Sequence, residues 1–267
     1  MLIQKRADGY LGRRRRMRLD IIGAGVAAAG AEWRGGFSTP PHSRLYFIID
    51  GSFFIVGRDG ERREFTQGQV CLIPSGYSYS FGCEKYMRQA YFHLRLSGGG
   101  GLDMLGLCER PLTADFSGCE RVWELLCGDS RLDTLRAEGE VYRALDALLP
   151  RESAVWDGQG YSEEIERAVR FITEGPTVAL TLSEVAREAH IAESTLSKKF
   201  RREVGMSVGE YIDSQVMLRA ADELHAGVRS VYEISEELGF CDQFYFSRRF
   251  KEKYGISPSL YRKKGTL

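Results

Sequence analysis

The spacing of apolar positions divides the chain into a β-rich first part and a helical second part. Between residues 44 and 96, apolar and polar positions alternate with a period of two, as in half-buried strands. The pattern predicts strands at 45–50, 52–58, 62–65, 70–73 and 87–96, with turns at Asp50-Gly51, Asp59-Gly60, Gln67-Gly68 and Ser75-Gly76. Many short antiparallel strands favour a small barrel or sandwich.

The period becomes helical after residue 117 and stays so for most of the remaining chain. Glycines 98–101 form a break, and leucines and valines then recur at helical spacing up to residue 149. Residues 151–160 are polar and contain glycine, which is typical of a linker. We therefore expect an α+β protein with domains at 1–150 and 161–267.

One sequence unit occurs twice in the helical part. Phe200-x4-Gly205-x-Ser207-x3-Tyr211 recurs 50 positions later as Phe250-x4-Gly255-x-Ser257-x3-Tyr261. A short helix, a tight turn and a basic helix precede each copy, at 182–189, 190–192 and 193–204, and again at 231–238, 239–242 and 243–254. This order is typical of a helix-turn-helix, so the sequence predicts two of them. Ser207 and Gly227 would bound a linker helix between the copies.

Charge and cysteine content change this picture little. The net charge is zero, but Lys and Arg cluster on the second helix of each copy. The six cysteines form no CxxC and no metal-type group with the four histidines, which favours reduced thiols in a cytoplasmic protein. Arg13–Arg16 followed by the apolar run at 21–31 imitates a signal peptide. That run is short and rich in Gly and Ala, so we expect neither a signal peptide nor a membrane span.

The C-terminal part resembles a known family. The run from Gly239 to Lys251, continued from Gly255 to Arg262, is similar to the signature of AraC/XylS-type bacterial transcription regulators. Residues 44–96 resemble the cupin-type sensing barrel of that family. The resemblance implies a cupin-like barrel with dimerisation helices, followed by two helix-turn-helix motifs joined by a linker helix. It implies double-stranded DNA, a small-molecule effector, a second copy of the chain and RNA polymerase as partners.

The two basic helices carry residue types that suit DNA. The faces opposite their apolar stripes would contact bases through Ser194, Ser197, Lys198, Arg201, Gln243, Phe244, Ser247 and Arg248. Neighbouring cations are better placed for phosphate: Lys199, Arg202, Arg249 and Lys251. Solvation of a helical bundle is the alternative reading of a single basic run, but the duplication favours DNA.

The barrel lacks the ligands of a metal site. Gly68-x5-Pro74-x-Gly76 resembles the second cupin motif, yet Tyr79 stands where a metal-binding histidine would be, and the chain contains no HxH. We therefore predict no metal and no cofactor. Aromatic and polar side chains would instead line an effector pocket: Arg44, Tyr46, Tyr79, Tyr91 and His93. Their alternative role is as half-exposed barrel residues.

Together these features predict a cytoplasmic, sequence-specific transcription regulator, an activator that responds to a small polar effector such as a sugar. It would act as a homodimer and would not be an enzyme. Two alternatives remain at this point: a metal-dependent cupin enzyme with an appended helical domain, and a regulator whose barrel is a ligand-free scaffold.

Overall fold

The computed structural model describes residues 17–97, 103–149 and 161–264, which fall into two units. The first unit contains residues 19–96 and 103–149, and the second contains residues 161–264. The basic run Arg13–Arg16, glycines 98–101 and the expected linker at 151–160 lie outside the described residues.

The first unit is an antiparallel sheet with helices on one side. Its strands are β1 (Arg18–Gly30), β2 (Arg34–Ser38), β3 (Ser43–Gly57), β4 (Arg62–Thr66), β5 (Gln69–Ile73), β6 (Tyr79–Gly82), β7 (Tyr86–Ser97) and β8 (Leu112–Asp115). The main order is β1-β7-β3-β5-β8, while β6 joins β2 to β3 and β4 also pairs with β3. A 3-10 turn at Leu105–Leu107 and helices α1 (Cys119–Cys127) and α2 (Arg131–Leu148) complete the unit.

The turn predicted at Asp50-Gly51 is wrong, because both residues lie inside strand β3. The strand runs through this dipeptide without ending, and its register with β7 shifts between Ile48 and Asp50. Gly51 has a φ of 69°, and a Cβ there would collide with the carbonyl oxygen of Tyr86. The residues up to Gly51 pair with β5 or β7, and those from Ser52 onward pair with β4 and β6. The glycine therefore bends one long strand from one part of the sheet to another.

Alternation along the strands produces two cores. Leu45 and Phe47 of β3 and Phe92 of β7 pack on the helix side, against residues such as Val122 and Val141. Intervening residues form a second, aromatic-rich cluster on the other face: Tyr46, Ile48, Phe53, Ile55, Phe65, Cys71, Ile73, Tyr79, Cys83 and Met87. The period of two therefore decides which side chains reach the interior of the sheet unit.

The second unit is entirely helical in its described part. Its helices are α3 (Glu163–Glu174), α4 (Leu182–Glu188), α5 (Glu193–Val204), α6 (Val208–Ala226), α7 (Val231–Glu237), α8 (Gln243–Tyr254) and α9 (Pro258–Lys264). Their apolar sides form one core, in which Leu196, Phe200, Phe246 and Phe250 are inaccessible to solvent. Both basic helices begin and end where the sequence pattern predicts. Among the described residues, no helix has both the length and the apolar character needed to cross a bilayer.

Candidate nucleic-acid interface

Helix α5 separates a buried stripe from an exposed basic face. Leu196, Phe200 and Val204 recur at four-residue steps and are at most 9% exposed, so this side of the helix packs against the core. The four predicted base contacts on this helix are all exposed: Ser194, Ser197, Lys198 and Arg201. The Ser197 hydroxyl donates to the carbonyl oxygen of Glu193 at 2.9 Å, so its lone pairs remain able to accept hydrogen bonds.

Helix α8 repeats this division with a more aromatic surface. Phe246 and Phe250 are buried, whereas Phe244 is 80% exposed and Arg248 is exposed. Gln243 and Ser247 are half-buried. A phenylalanine this exposed beside an arginine offers an apolar contact and a two-pronged donor, which are the groups that recognise a thymine methyl and guanine.

The two helices differ at their N-termini. Ala192 is the N-cap of α5 and makes no side-chain hydrogen bond. Asp242 is the N-cap of α8, and its Oδ1 accepts from the backbone N–H of Tyr245 at 2.7 Å. This hydrogen bond is the main cause that holds the pKa of Asp242 below its ordinary value. Both helices end at a glycine in the left-handed region, Gly205 and Gly255.

Capping boxes fix the helices around these two. Thr181, Ser207 and Ser230 each accept a backbone hydrogen bond from a glutamate three residues later, and that glutamate bonds back to the cap. Hydrogen bonds to the caps lower the pKa of those glutamates, which are Glu184, Glu210 and Glu233. Sequence reasoning identified Ser207 as a cap but missed the glutamates, although the Ser/Thr-x-x-Glu spacing signals them.

A positively charged groove of about 520 Å³ lies between α4, α5 and the start of α6. It is lined by Leu182, Ser197, Lys198, Arg201, Arg202, Ser207, Val208 and Gly209. Three of these eight residues are cations, and none of the eight is acidic. A concave surface of this charge suits a nucleic-acid backbone.

The four predicted phosphate contacts have different surroundings. Arg202 is 69% exposed and pairs with its neighbour Glu203 at 2.9 Å, and Lys251 is also exposed. Lys199 lies 3.1 Å from Glu164 of α3, and Arg249 pairs with Asp213 of α6. Sequence reasoning missed both of these acids because each is remote in sequence from the cation it meets.

The predicted effector residues lie together in the sheet unit. Cross-strand register places Arg44 opposite His93 and Tyr46 opposite Tyr91, so all four share one face of the sheet. Nη1 of Arg44 lies 3.4 Å from the hydroxyl of Tyr46, and the Tyr91 and His93 rings lie 5.4 Å apart.

Tyr79 joins this group from β6. It is 2% exposed and hydrogen-bonds to Tyr46. Burial, more than the bond to Tyr46, raises the pKa of Tyr79 above its ordinary value, so the phenol stays protonated. Tyr46 and Tyr79 are thus enclosed, whereas Arg44, Tyr91 and His93 are half-buried. Within residues 17–97, 103–149 and 161–264, no three His, Cys, Asp or Glu side chains are grouped to hold a metal ion.

Comparison with known proteins agrees with this geometry. Residues 185–264 match the family model described as a helix-turn-helix domain. The chain is 30% identical over 245 residues to the Msm operon regulatory protein of Streptococcus mutans, covering 85% of this chain and 88% of that protein. It is 24% identical over 216 residues to the lactose operon transcription activator of Staphylococcus xylosus, covering 76% and 77%.

The fold is similar to that of a solved structure over nearly its whole length. Unsaturated fatty acid-bound ToxT from Vibrio cholerae superimposes with a TM-score of 0.58 at 14% identity, covering 90% of this chain and 94% of ToxT. This likeness shows the arrangement of an N-terminal antiparallel sheet domain followed by a helical domain. The Msm and lactose operon proteins are regulators, so the prediction of a regulator rather than an enzyme is confirmed.

Proposed function

The chain belongs to the AraC/XylS family of DNA-binding transcription regulators, and we propose that it activates transcription in response to a small polar molecule held by its N-terminal sheet domain. The observation that carries the DNA-reading half is the duplicated basic face. Two helices of equal length bury side chains at three equivalent positions and leave cations exposed at two others, Lys198 with Arg248 and Arg201 with Lys251. Packing a core requires the buried positions to repeat, but it does not require the exposed cations to repeat as well.

We propose that α4–α5 and α7–α8 are two helix-turn-helix motifs and that α6 is the rod between them. Base contacts would come from the exposed positions of α5 and α8 predicted above, with Arg202 and Lys251 on phosphates. The 19 residues of α6 span about 28 Å. Successive major grooves on one face of B-DNA are about 34 Å apart, so modest bending of the DNA would let both helices enter.

The effector site we propose is the cluster around Arg44. Its tyrosines and histidine provide planar surfaces and directed donors, and its arginine supplies a charge at the half-buried end. Such a lining suits a polar ligand of sugar size. Support for a sugar comes from the relative that activates a lactose operon, whereas ToxT was solved with a fatty acid. For the effector to regulate, it must bind one state of the protein more tightly than the other.

We propose that α2 supplies a homodimer contact. Leu132, Leu135 and Tyr142 recur along one side of the helix and are 56–62% exposed.

The boundaries we propose are 1–150 for the sensing and dimerisation domain, inclusive of a cupin-like barrel, and 161–267 for the DNA-binding domain. An activator of this kind acts in the cytoplasm, where the DNA is, and meets RNA polymerase there.

One experiment tests the DNA-reading half of the proposal. Genomic fragments retained by the purified full chain would be sequenced, and affinity for them compared with random duplex at several salt concentrations. We expect a shared motif with two half-sites about one helical turn apart. Equal affinity for all duplexes would contradict the proposed function.

A ligand screen tests the effector half. Sugars and fatty acids would be compared by thermal shift, because a ligand at 100 times its Kd stabilises the folded state by about 2.7 kcal/mol. Arg44→Ala should abolish the shift. Specific DNA binding without a shift from any compound would favour the ligand-free scaffold.

A further inference from the structure

Each of the two basic helices, α5 and α8, carries a cation that is already paired with an acid from an earlier helix. Nζ of Lys199 lies 3.1 Å from Oε2 of Glu164, and Nη2 of Arg249 contacts Oδ1 of Asp213. Lys199 and Arg249 immediately precede the repeated phenylalanines at 200 and 250, so they are equivalent positions of the duplication. Each acid stands 35 or 36 residues before its cation, Glu164 on α3 and Asp213 on α6. A cation paired with an acid therefore occurs at the equivalent position of both basic helices, and the acid is shifted by one residue between the two copies.

The ion pair between Asp213 and Arg249 is part of a larger cluster of contacts. Oδ2 of Asp213 also lies 3.8 Å from Nζ of Lys253, one turn further along α8. Arg249 donates from Nη1 to the hydroxyl of Tyr245 at 3.1 Å. Asp213 thus holds α8 at two points on its flank.

The burial of these cations differs from that of an open phosphate contact. Lys199, Arg249 and Lys253 are 26–34% exposed at their side chains, whereas Arg202 is 69% exposed. Burial is also the main cause that lowers the pKa of Lys253, and Asp213 acts against it. Partly covered cations with an acid in contact are poorly suited to bind phosphate as well.

An acid beside a DNA-reading helix repels phosphate, so its electrostatic effect on DNA binding is unfavourable. We propose that Glu164 and Asp213 are positioning residues, which fix the rotation of α5 and α8 through Lys199 and Arg249 so that the exposed faces meet the bases. This inference rests on the proposed DNA-reading function, and it takes Lys199 and Arg249 out of the set of phosphate contacts. Geometry of this kind must be held closely for base readout.

The sign of one substitution separates positioning from charge. Asp213→Asn removes a negative charge near the DNA, so a purely electrostatic role predicts equal or tighter binding. A positioning role predicts about five- to tenfold weaker binding to the selected site, an effect within the range of interaction energies between residues in contact. It also predicts smaller differences in affinity among single-base variants of the site. Asp213→Glu should restore both.

Glu252→Gln is the matched control, because Glu252 is an exposed acid on α8, the helix that Asp213 contacts, and the charge change is identical. It should bind as tightly as the unmodified chain, or more tightly. Glu164→Gln repeats the test for the contact with Lys199 of α5 and should also weaken binding. Affinity would be measured by fluorescence anisotropy on the full chain, with thermal melting of every variant alongside.

The outcomes are distinct. If Asp213→Asn and Glu164→Gln behave like Glu252→Gln, the positioning role is wrong while the proposed function stands. Loss of binding that follows loss of folded protein, with no recovery in Asp213→Glu, likewise overturns the inference in favour of simple stability. If the unmodified chain prefers no duplex, the proposed function fails first and this inference fails with it.

Discussion

Phe244 offers a direct test of which face of α8 meets DNA. Its side chain is 80% exposed, which leaves about 160 Å² of the roughly 200 Å² of a phenylalanine open to solvent. If DNA covers half of that surface, Phe244→Ala loses about 80 Å² of apolar burial, or about 2 kcal/mol and roughly thirtyfold in Kd. The free energy of unfolding should change by less than about 0.5 kcal/mol, because the side chain supports no core.

The neighbouring phenylalanine gives the contrasting result. Phe246 lies two positions further on the same helix and is inaccessible to solvent, so Phe246→Ala should cost about 3–5 kcal/mol of stability. Urea unfolding would measure stability for both variants, and fluorescence anisotropy would measure affinity for the selected site. Unchanged affinity in Phe244→Ala, or a loss of stability comparable to that of Phe246→Ala, would refute the assignment of this face to DNA.

Three further predictions concern other parts of the molecule. Arg248→Ala should weaken binding to the selected site by about 1–3 kcal/mol and relax the base preference at one position. Arg202→Ala should instead weaken binding to all duplexes alike and lower the slope of log K against log salt concentration by about 1. Competition assays at several salt concentrations would distinguish the two effects. The lowered pKa of Asp242 means that its contribution to stability is complete above its ordinary value of 3.8 and is lost as pH falls through the lower folded value, so Asp242→Asn should remove that part of the acid dependence in unfolding measurements. Leu135→Asp should leave the fold intact, because the residue is 62% exposed, and should shift sedimentation from dimer to monomer if α2 is the contact.

Local patterns were sufficient to predict the helical unit. The bounds of α5 and α8 follow from apolar spacing and from the glycines at 205 and 255, all of which act within one or two turns. The residues that face solvent follow from the same periodicity, which is why Ser194, Lys198 and Arg248 were correctly placed on exposed surfaces.

Features that depend on distant neighbours were not predictable in this way. Asp50-Gly51 has the sequence of a hairpin turn, but β7 pairs with both residues, and β4 and β6 pair with the residues that follow, so the strand continues through a bend. Strand β1 is rich in Gly and Ala, which have low strand propensity, and its pairing with β7 decides its conformation. The pairing of Asp213 with Arg249 likewise joins two residues that are 36 positions apart in the sequence.

The unequal N-caps give the two halves of the duplication different local stability. A capping side chain contributes about 1 kcal/mol, so the uncapped first turn at Ala192 should open about five times more often than one held as Asp242 holds its own. Ser194 lies in the less stable first turn of α5, whereas Phe244 lies in the first turn of α8, which the cap orders before DNA binds. One half of an operator would then be read with more stringency than the other, so a repeated protein element does not require a symmetrical binding sequence.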